Sequence, residues 1–255
     1  MNTYRVPDEP SSNQPVPPTS EEPVSLRETI RRVWKLARRV FIILFVAQLV
    51  YIVVLRWMDP PITTTQLWSF LSGNGLKRDY VSWEEISPNA RLAVMASEDQ
   101  LFPDHNGFDW KSIESVLKGN PKKKKRMRGA STISQQVAKN VFLWQGRSWI
   151  RKGLEVYFTF MIELVWGKER ILEVYLNVAE MGKGVFGIEA ASQKYFKKPA
   201  AKLTKKQAAM IAACLPNPKK YIVNPPSNYI NRRYPWILTQ MNNLEGDEDI
   251  AALLK

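Results

Sequence analysis

The chain has 255 residues, of which 45% are hydrophobic, enough for one substantial folded domain with additional segments. Its 37 Lys and Arg against 24 Asp and Glu give a net charge of +13, which indicates an anionic partner: nucleic acid, an acidic membrane surface or a phosphorylated substrate. The single cysteine, Cys214, excludes an intramolecular disulfide framework and a cysteine-based metal site, and with one histidine a zinc centre is not expected.

The N-terminal part of the chain predicts a tail, a membrane anchor and a linker. Residues 1–25 contain six prolines among polar residues, so they are predicted to be a disordered cytoplasmic tail. Residues 26–57 join a basic flank to the uncharged run 40–55 and are predicted to form a transmembrane anchor. A core helix or a cleaved signal peptide fits less well, because the flank is strongly basic and no small-x-small cleavage site follows Leu55. Residues 58–74 are predicted as a linker and residues 75–255 as the folded domain.

The basic flank also predicts the orientation of the anchor. Because Lys and Arg are in excess before the apolar run, the N-terminus is expected in the cytoplasm. In a bacterium, the folded domain would then lie on the periplasmic face of the inner membrane as part of a single-pass protein.

The folded domain is predicted to be mainly α, because few segments alternate as strands do. Ser87 and Pro88 resemble a helix start, and the apolar face that follows predicts a helix reaching Glu98. A capping box at Thr132 predicts a helix to Trp144, and further helices are expected over 148–166, 168–181, 188–196, 204–215 and 227–244.

The segment 98–109 gathers four carboxylates and the only histidine of the chain. Glu98 would lie at the negative end of its helix, beside Asp99 and partly desolvated by Phe102, so its pKa is expected to be raised. A carboxylate with a raised pKa suits a general base that works near neutral pH. The alternative interpretation is an acidic last turn followed by a polar loop.

Two further segments have the composition of an anion site. Residues 128–136 combine a flexible glycine, hydroxyl groups and a helix N-terminus, and Lys139 would lie on the same helix face. In the next helix Arg151, Lys152 and Glu155 share one surface at helical spacing. The alternatives are an ordinary capped helix with a solvated lysine and a surface ion pair of little energetic weight. Spacing alone does not establish whether Glu98 and Glu155 are neighbours.

Taken in order, these segments resemble the peptidoglycan glycosyltransferases, and most closely the monofunctional biosynthetic transglycosylases, over residues 75–245. Four ordered motifs carry the resemblance: Glu98-Asp99-x-x-Phe102-x-x-His105-x-Gly107-x-Asp109, Gly129-x-Ser131-Thr132-x-x-Gln135-Gln136-x-x-Lys139-Asn140, Arg151-Lys152-x-x-Glu155, and Arg170-Ile171-Leu172-Glu173-x-Tyr175-Leu176-Asn177. A fifth element departs slightly, because Gln207 stands where the family usually has Glu. Since Gln also serves in a capping box, this departure is expected to affect local stability more than catalysis.

The resemblance implies a lysozyme-like, mainly α glycosyltransferase domain preceded by a single transmembrane helix. It implies an inverting reaction that joins lipid II disaccharide-pentapeptide units by β-1,4 bonds and releases undecaprenyl diphosphate. Glu98 would be the general base and Glu155 the second essential acid. The candidate substrate-binding residues are Ser131, Thr132, Gln136, Lys139, Arg147, Arg151 and Lys152. The candidate supporting residues are Asp99, Phe102, His105, Gly129, Glu173 and Asn177.

The expected partners follow from this assignment. They are lipid II, the lipid-linked glycan strand, an anionic membrane surface facing the basic residues 122–128, and cell-wall synthesis or division proteins. Nucleic acid is not expected on the far side of a membrane, no protein metal site is predicted, and a divalent cation such as Mg²⁺ or Mn²⁺ is left open.

Two other functions remain as alternatives. A mainly α domain with essential carboxylates is also compatible with a lysozyme-like hydrolase, and the basic segment with a non-enzymatic membrane binder. Transpeptidase activity is not expected. Ser115-x-x-Lys118 has no accompanying Lys-Ser/Thr-Gly triplet, and too little chain follows the last motif for a second catalytic domain.

Overall fold

The computed structural model describes residues 26–110, 114, 131–146 and 148–255. The chain divides into two compact units, one ending at Gln48 and the other spanning Leu49–Lys255. Helix α1 (Leu26–Val54) begins in the first unit, where residues 26–47 are exposed. By length and composition α1 can cross a membrane, consistent with the predicted single-pass anchor.

The second unit is mainly helical, which confirms the predicted fold class. Its helices are α2 (Thr64–Leu71), α3 (Pro88–Glu98), α4 (Ile133–Phe142), α5 (Trp149–Val165), α6 (Lys168–Val178), α7 (Ile188–Phe196), α8 (Lys205–Ala212), α9 (Asn228–Leu244) and α10 (Glu248–Leu254). Short 3-10 turns lie at Trp83–Glu85 and Ala200–Lys202. Helix α4 packs against both α5 and α6, and α3 packs against α8 and α9.

Local capping explains most of the helix starts. The Ser87 hydroxyl accepts a hydrogen bond from the backbone N–H of Asn89, and complete capping boxes open α4 at Thr132 and α8 at Thr204. The Thr204 box uses Gln207, the residue that departs from the family pattern. Helix α4 ends at Phe142 instead of the predicted Trp144, because Leu143 already adopts an extended conformation.

A small three-stranded sheet replaces the end of one predicted helix. Helix α6 stops at Val178, and the chain continues into β2 (Glu180–Gly182), which pairs antiparallel with β3 (Val185–Phe186). Strand β3 also pairs in parallel with β1 (Lys77–Arg78). Gly184 turns the hairpin with a φ of 66°, and a Cβ there would lie 2.1 Å from the backbone oxygen of Asn74. The turn therefore requires glycine.

The segment 58–74, predicted as a linker, contains helix α2. A capping box between Thr63 and Gln66 starts this helix, and Gln66 is buried. Helix α2 packs against α4, and the Thr64 hydroxyl donates a hydrogen bond to the backbone oxygen of Leu143. The sequence of the segment does not reveal this contact with a helix that lies far away in the chain.

The last turn of α1 and the residues after it are part of the folded unit. Ile52 and Leu55 are 0% and 1% exposed, and Trp166 Nε1 donates a hydrogen bond of 2.8 Å to the backbone oxygen of Ile52. Arg170 donates to the backbone oxygens of Leu55 and Met58 at 3.2 and 2.7 Å. The segment predicted as basic flank and transmembrane anchor thus ends in the core of the second unit.

Candidate active site

Glu98 ends helix α3 and turns its carboxylate towards α4. Gln136 Nε2 donates a hydrogen bond to Glu98 Oε2 at 2.9 Å, and the Ser97 hydroxyl donates to Oε1 at 3.2 Å. Burial raises the pKa of Glu98, while these two hydrogen bonds and the charges of Arg233 and Lys139 oppose the rise. The raised pKa agrees with the expectation from the sequence, although its main cause is burial in the folded unit.

Asp99 has a different environment from its neighbour. Its buried carboxylate accepts hydrogen bonds from His105 Nε2 at 3.0 Å and from the backbone N–H of Ile133 at 2.9 Å. The backbone N–H of Gly107 donates to His105 Nδ1 at 3.1 Å, so Nδ1 carries no proton and Nε2 is the donor. Asp99 therefore joins the N-terminus of α4 to the loop after α3, and His105 braces that loop, the supporting role that the sequence predicts for it.

A second set of contacts holds the same loop and was missed by sequence reasoning. Lys168 Nζ donates to the backbone oxygen of His105 and, at 2.8 Å, to Glu163 Oε1. The Ser134 hydroxyl donates to the same carboxylate oxygen at 2.5 Å. Glu163 and Lys168 lie in α5 and α6, remote in sequence from the loop. Only the pairing of opposite charges near the helix junction was visible in the sequence.

The second predicted acid, Glu155, is buried and doubly paired. It is 4% exposed, and its two carboxylate oxygens accept from Arg151 at 3.0 Å and from Lys152 Nζ at 2.5 Å. Lys152 remains 45% exposed at its side chain. A surface ion pair does not have a buried carboxylate, so this arrangement favours the alternative in which two cations pair with one buried acid.

Lys139 relates the two acids to each other. Burial lowers the pKa of Lys139, the charge of Glu155 raises it, and the charge of Glu98 raises it as well. Arg151 and Lys152 lower it further, because they are like charges. Lys139 therefore lies within electrostatic reach of both carboxylates, which spacing in the sequence could not establish.

A polar cleft of about 180 Å³ opens beside this cluster. Its lining includes Gln136, Lys139 and Asn140 of α4, together with Tyr175 and Glu180. The amide, hydroxyl and charged groups of the cleft are typical of a site for a polar ligand. Tyr175 and Glu180 received no predicted role, because neither follows a charge or capping pattern.

The remaining predicted site residues are placed as follows. Ser131 is exposed just before α4, whereas the Thr132 hydroxyl is buried, caps α4 and donates to the backbone oxygen of Gly107 at 2.8 Å. This placement favours a supporting role for Thr132 over the ligand contact that the sequence predicted. Gly129, Arg147 and the basic segment 122–128 lie outside the described residues.

Three residues that were predicted to support the site make contacts with other parts of the fold. Phe102 is fully buried, with Lys168 Nζ 4.6 Å from its ring centre. Glu173 pairs with Arg170 at 2.7 Å. The Asn177 amide binds both backbone groups of Val81, accepting at 3.1 Å and donating at 2.9 Å, as a paired strand would.

Within the described ranges, no three His, Cys, Asp or Glu side chains converge as metal ligands would. Both carboxylate oxygens of Glu155 are already engaged by cations. The donor set in this part of the chain therefore does not resemble a preformed cation site.

Comparison with known proteins gives one family and closely similar relatives. The family model described as "Transglycosylase" matches residues 64–242, a range that starts at the first residue of α2. The chain is 50% identical over 230 residues to the "Biosynthetic peptidoglycan transglycosylase" of Yersinia pseudotuberculosis serotype O:3 (strain YPIII), covering 88% of this chain and 95% of the relative. Proteins of the same name from Y. pseudotuberculosis serotype IB (strain PB1/+) and Y. pestis (strain Pestoides F) are 49% identical over the same shares.

Proposed function

The chain belongs to the transglycosylase family, and from this we infer that it is a peptidoglycan glycosyltransferase that polymerises glycan strands in cell-wall synthesis. Its substrates are lipid II and the lipid-linked glycan strand, joined by β-1,4 bonds with release of undecaprenyl diphosphate. The relatives are covered over 95% of their length, so the likeness extends to the whole of those proteins. This supports a monofunctional enzyme without transpeptidase activity.

The proposed reaction needs one base and a set of cations. Glu98 takes the proton of the attacking sugar 4-hydroxyl, and the oxygen attacks the anomeric carbon of the second substrate. The bond from that carbon to the diphosphate breaks, and the diphosphate leaves with the electron pair. The developing negative charge is stabilised by Lys139, Arg151 and Lys152. Ser131, Gln136 and Arg147 complete the proposed substrate contacts.

The observation that carries this proposal is that Lys139, which lines the polar cleft, interacts electrostatically with both Glu98 and Glu155. Burial raises the pKa of Glu98, as a general base requires. Lys139 interacts electrostatically with Glu98 and with the paired acid Glu155, so a cation for the leaving diphosphate is available beside the base. A hydrolase of the same glycan has no diphosphate to stabilise, so a concentration of three cations around one acid favours transfer from a diphosphate.

The proposed location is the bacterial inner membrane. Helix α1 is the single anchor, the basic residues of its first half stay in the cytoplasm, and the catalytic unit lies in the periplasm. An anionic leaflet is the proposed contact of segment 122–128, and cell-wall synthesis or division proteins are further proposed partners.

The test is polymerisation of purified lipid-linked disaccharide-pentapeptide by the full chain in detergent, with and without EDTA. Wild type and a Glu169→Gln control, which changes an exposed acid of α6, are expected to form glycan polymer. Glu98→Gln is expected to form none, since the substitution keeps size and removes basicity. Release of short sugars from finished peptidoglycan, without polymer from the lipid substrate, would overturn the proposal. The EDTA arm decides the question of a divalent cation.

A further inference from the structure

The Gln136 side chain is held at both of its ends. Its Nε2 donates to Glu98 Oε2 at 2.9 Å, and its Oε1 accepts a hydrogen bond from the Tyr175 hydroxyl at 3.2 Å. Tyr175 lies in α6, the helix after the one that carries Arg151, Lys152 and Glu155, and is 1% exposed. A chain of two hydrogen bonds therefore runs from a core tyrosine to the proposed base.

The tyrosine hydroxyl determines which way the amide faces. Among the described residues, the hydroxyl has Gln136 as its one hydrogen-bond acceptor, so reversing the amide would leave a buried O–H without an acceptor. Reversal would also turn the amide oxygen towards the Glu98 carboxylate. Both effects oppose reversal, because an unsatisfied buried donor and two facing acceptors are each unfavourable.

We propose that Tyr175 is a positioning residue for the glycosyl transfer step, which orients the Gln136 amide so that its nitrogen faces the Glu98 carboxylate. Tyr175 does not touch Glu98 through a hydrogen bond and acts through Gln136. The proposal rests on the proposed role of Glu98 as general base. It adds to that role a fixed donor that favours the ionised, proton-accepting form of the carboxylate.

The other charged and titratable groups around Glu98 set the size of the effect. Lys139 of α4 and Arg233 of α9 favour its ionised form. Cys214, after α8, and Tyr175 itself are within electrostatic reach of Glu98, and burial raises the pKa of both, so they remain neutral near pH 7. Asp99 is bound to His105 and the start of α4. Since the two cations stay in place when Tyr175 is changed, the expected effect is a moderate shift and not a loss of the base.

The test compares Tyr175→Phe with Tyr195→Phe in the full chain. Tyr195 is a second buried tyrosine whose hydroxyl donates to the backbone oxygen of Met181 at 3.0 Å, without contact to Gln136. In Tyr175→Phe, the acidic limb of kcat/KM is expected to move to higher pH by about half a unit to one unit, with rates recovering as pH rises. Tyr195→Phe is expected to keep the wild-type limb. The proposal would be overturned if the acidic limb lay at the same pH in the wild type and both variants. It would also be overturned if both variants shifted the limb equally.

Two further measurements separate this proposal from the assignment of the base. In a Gln136→Ala background, Tyr175→Phe is expected to cause no additional shift of the acidic limb, because its effect passes through the amide. If Tyr175→Phe shifted the limb as much in this background as in the wild type, the proposal would be contradicted. A ¹³C titration of the Glu98 carboxyl, assigned by comparison with Glu98→Gln, is expected to show the same upward shift without any turnover. If Glu98→Gln remained active while the carboxyl shift appeared, the proposed base would be wrong and the positioning contact would stand.

Discussion

Lys139 is surrounded by charges of both signs, and the balance has a measurable consequence. Burial lowers its pKa, and the attraction of Glu155 and Glu98 only partly restores it. Lys139 therefore loses its charge at a lower pH than an exposed lysine does, and the proposed stabilisation of the diphosphate should fail at alkaline pH.

We expect Lys139→Arg to move the alkaline limb of kcat/KM to higher pH, because a guanidinium keeps its charge up to about pH 12. The maximal rate should fall, since the planar guanidinium does not reproduce the position of the ammonium group. The measurement is a pH–rate profile, with Lys139→Gln as the uncharged control that is impaired throughout. An alkaline limb unchanged in a folded Lys139→Arg protein would show that another group titrates there.

Glu155 supports a second prediction at this scale. Glu155→Gln leaves Arg151 and Lys152 without their buried counter-charge, so the cluster should rearrange and bind the lipid-linked substrate less well. We expect a loss of about 10²-fold or more in kcat/KM. The control is Glu173→Gln, which removes another helical ion pair, the partly buried pair with Arg170, away from the cleft. Equal losses in both variants would indicate a stability effect, which thermal unfolding would then reveal.

At the scale of elements, the end of α1 belongs to the folded unit, and this determines where the chain can be shortened. Removal of residues 1–48 is expected to preserve the unit, whereas removal of residues 1–57 takes away Ile52 and Leu55, each contributing about 1.5–3 kcal/mol by burial. The chain that lacks residues 1–57 should unfold at a lower temperature or aggregate. Circular dichroism measures the first outcome and size-exclusion chromatography the second.

Point variants check the same prediction without truncation. Ile52→Ala should cost about 2–5 kcal/mol of unfolding free energy, whereas Val53→Ala, at a 44% exposed neighbour, should cost far less. Equal stability of the two truncated chains would contradict the burial of the last turn of α1.

Helix starts were predicted correctly where a capping residue close in the sequence defines them. The starts of α3, α4, α5 and α8 follow from Ser87, Thr132, Ser148 and Thr204, whose caps involve only neighbouring residues. Strands β1 and β3 consist of two residues each and β2 of three, too short for any alternation to be visible. Helix α2 and the buried end of α1 depend on contacts with residues that lie far away in the sequence.

The candidate site shows the same division. Arg151, Lys152 and Glu155 were grouped correctly because they share one helix face. The contact of Glu98 with Gln136 spans 38 positions and that of Lys168 with His105 spans 63, so no periodicity could reveal them. The resemblance to a known family identified the first pair of residues, but not the hydrogen bonds that orient them.

For the whole molecule, the distribution of charge predicts its orientation. A phosphatase reporter that is active only outside the cytoplasm, fused after Lys255, is expected to be active, and the same reporter placed before residue 26 is expected to be inactive. Fusion at Lys255 keeps α10, whose Ile250 is buried. The opposite pattern of activity would exclude both the periplasmic location and a substrate presented on that face.

The two adjacent acids at the end of α3, Glu98 and Asp99, lie in different electrostatic environments. The negative charge of Asp99 is locally compensated by His105 and by the positive end of α4, so it adds little repulsion at Glu98 one residue away. His105 thus reduces the influence of one carboxylate on the other, although of the two acids it contacts only Asp99. Loss of the imidazole would leave the start of α4 as the remaining partner of the Asp99 carboxylate, so a histidine that takes no part in proton transfer would still influence how strongly the proposed base holds a proton.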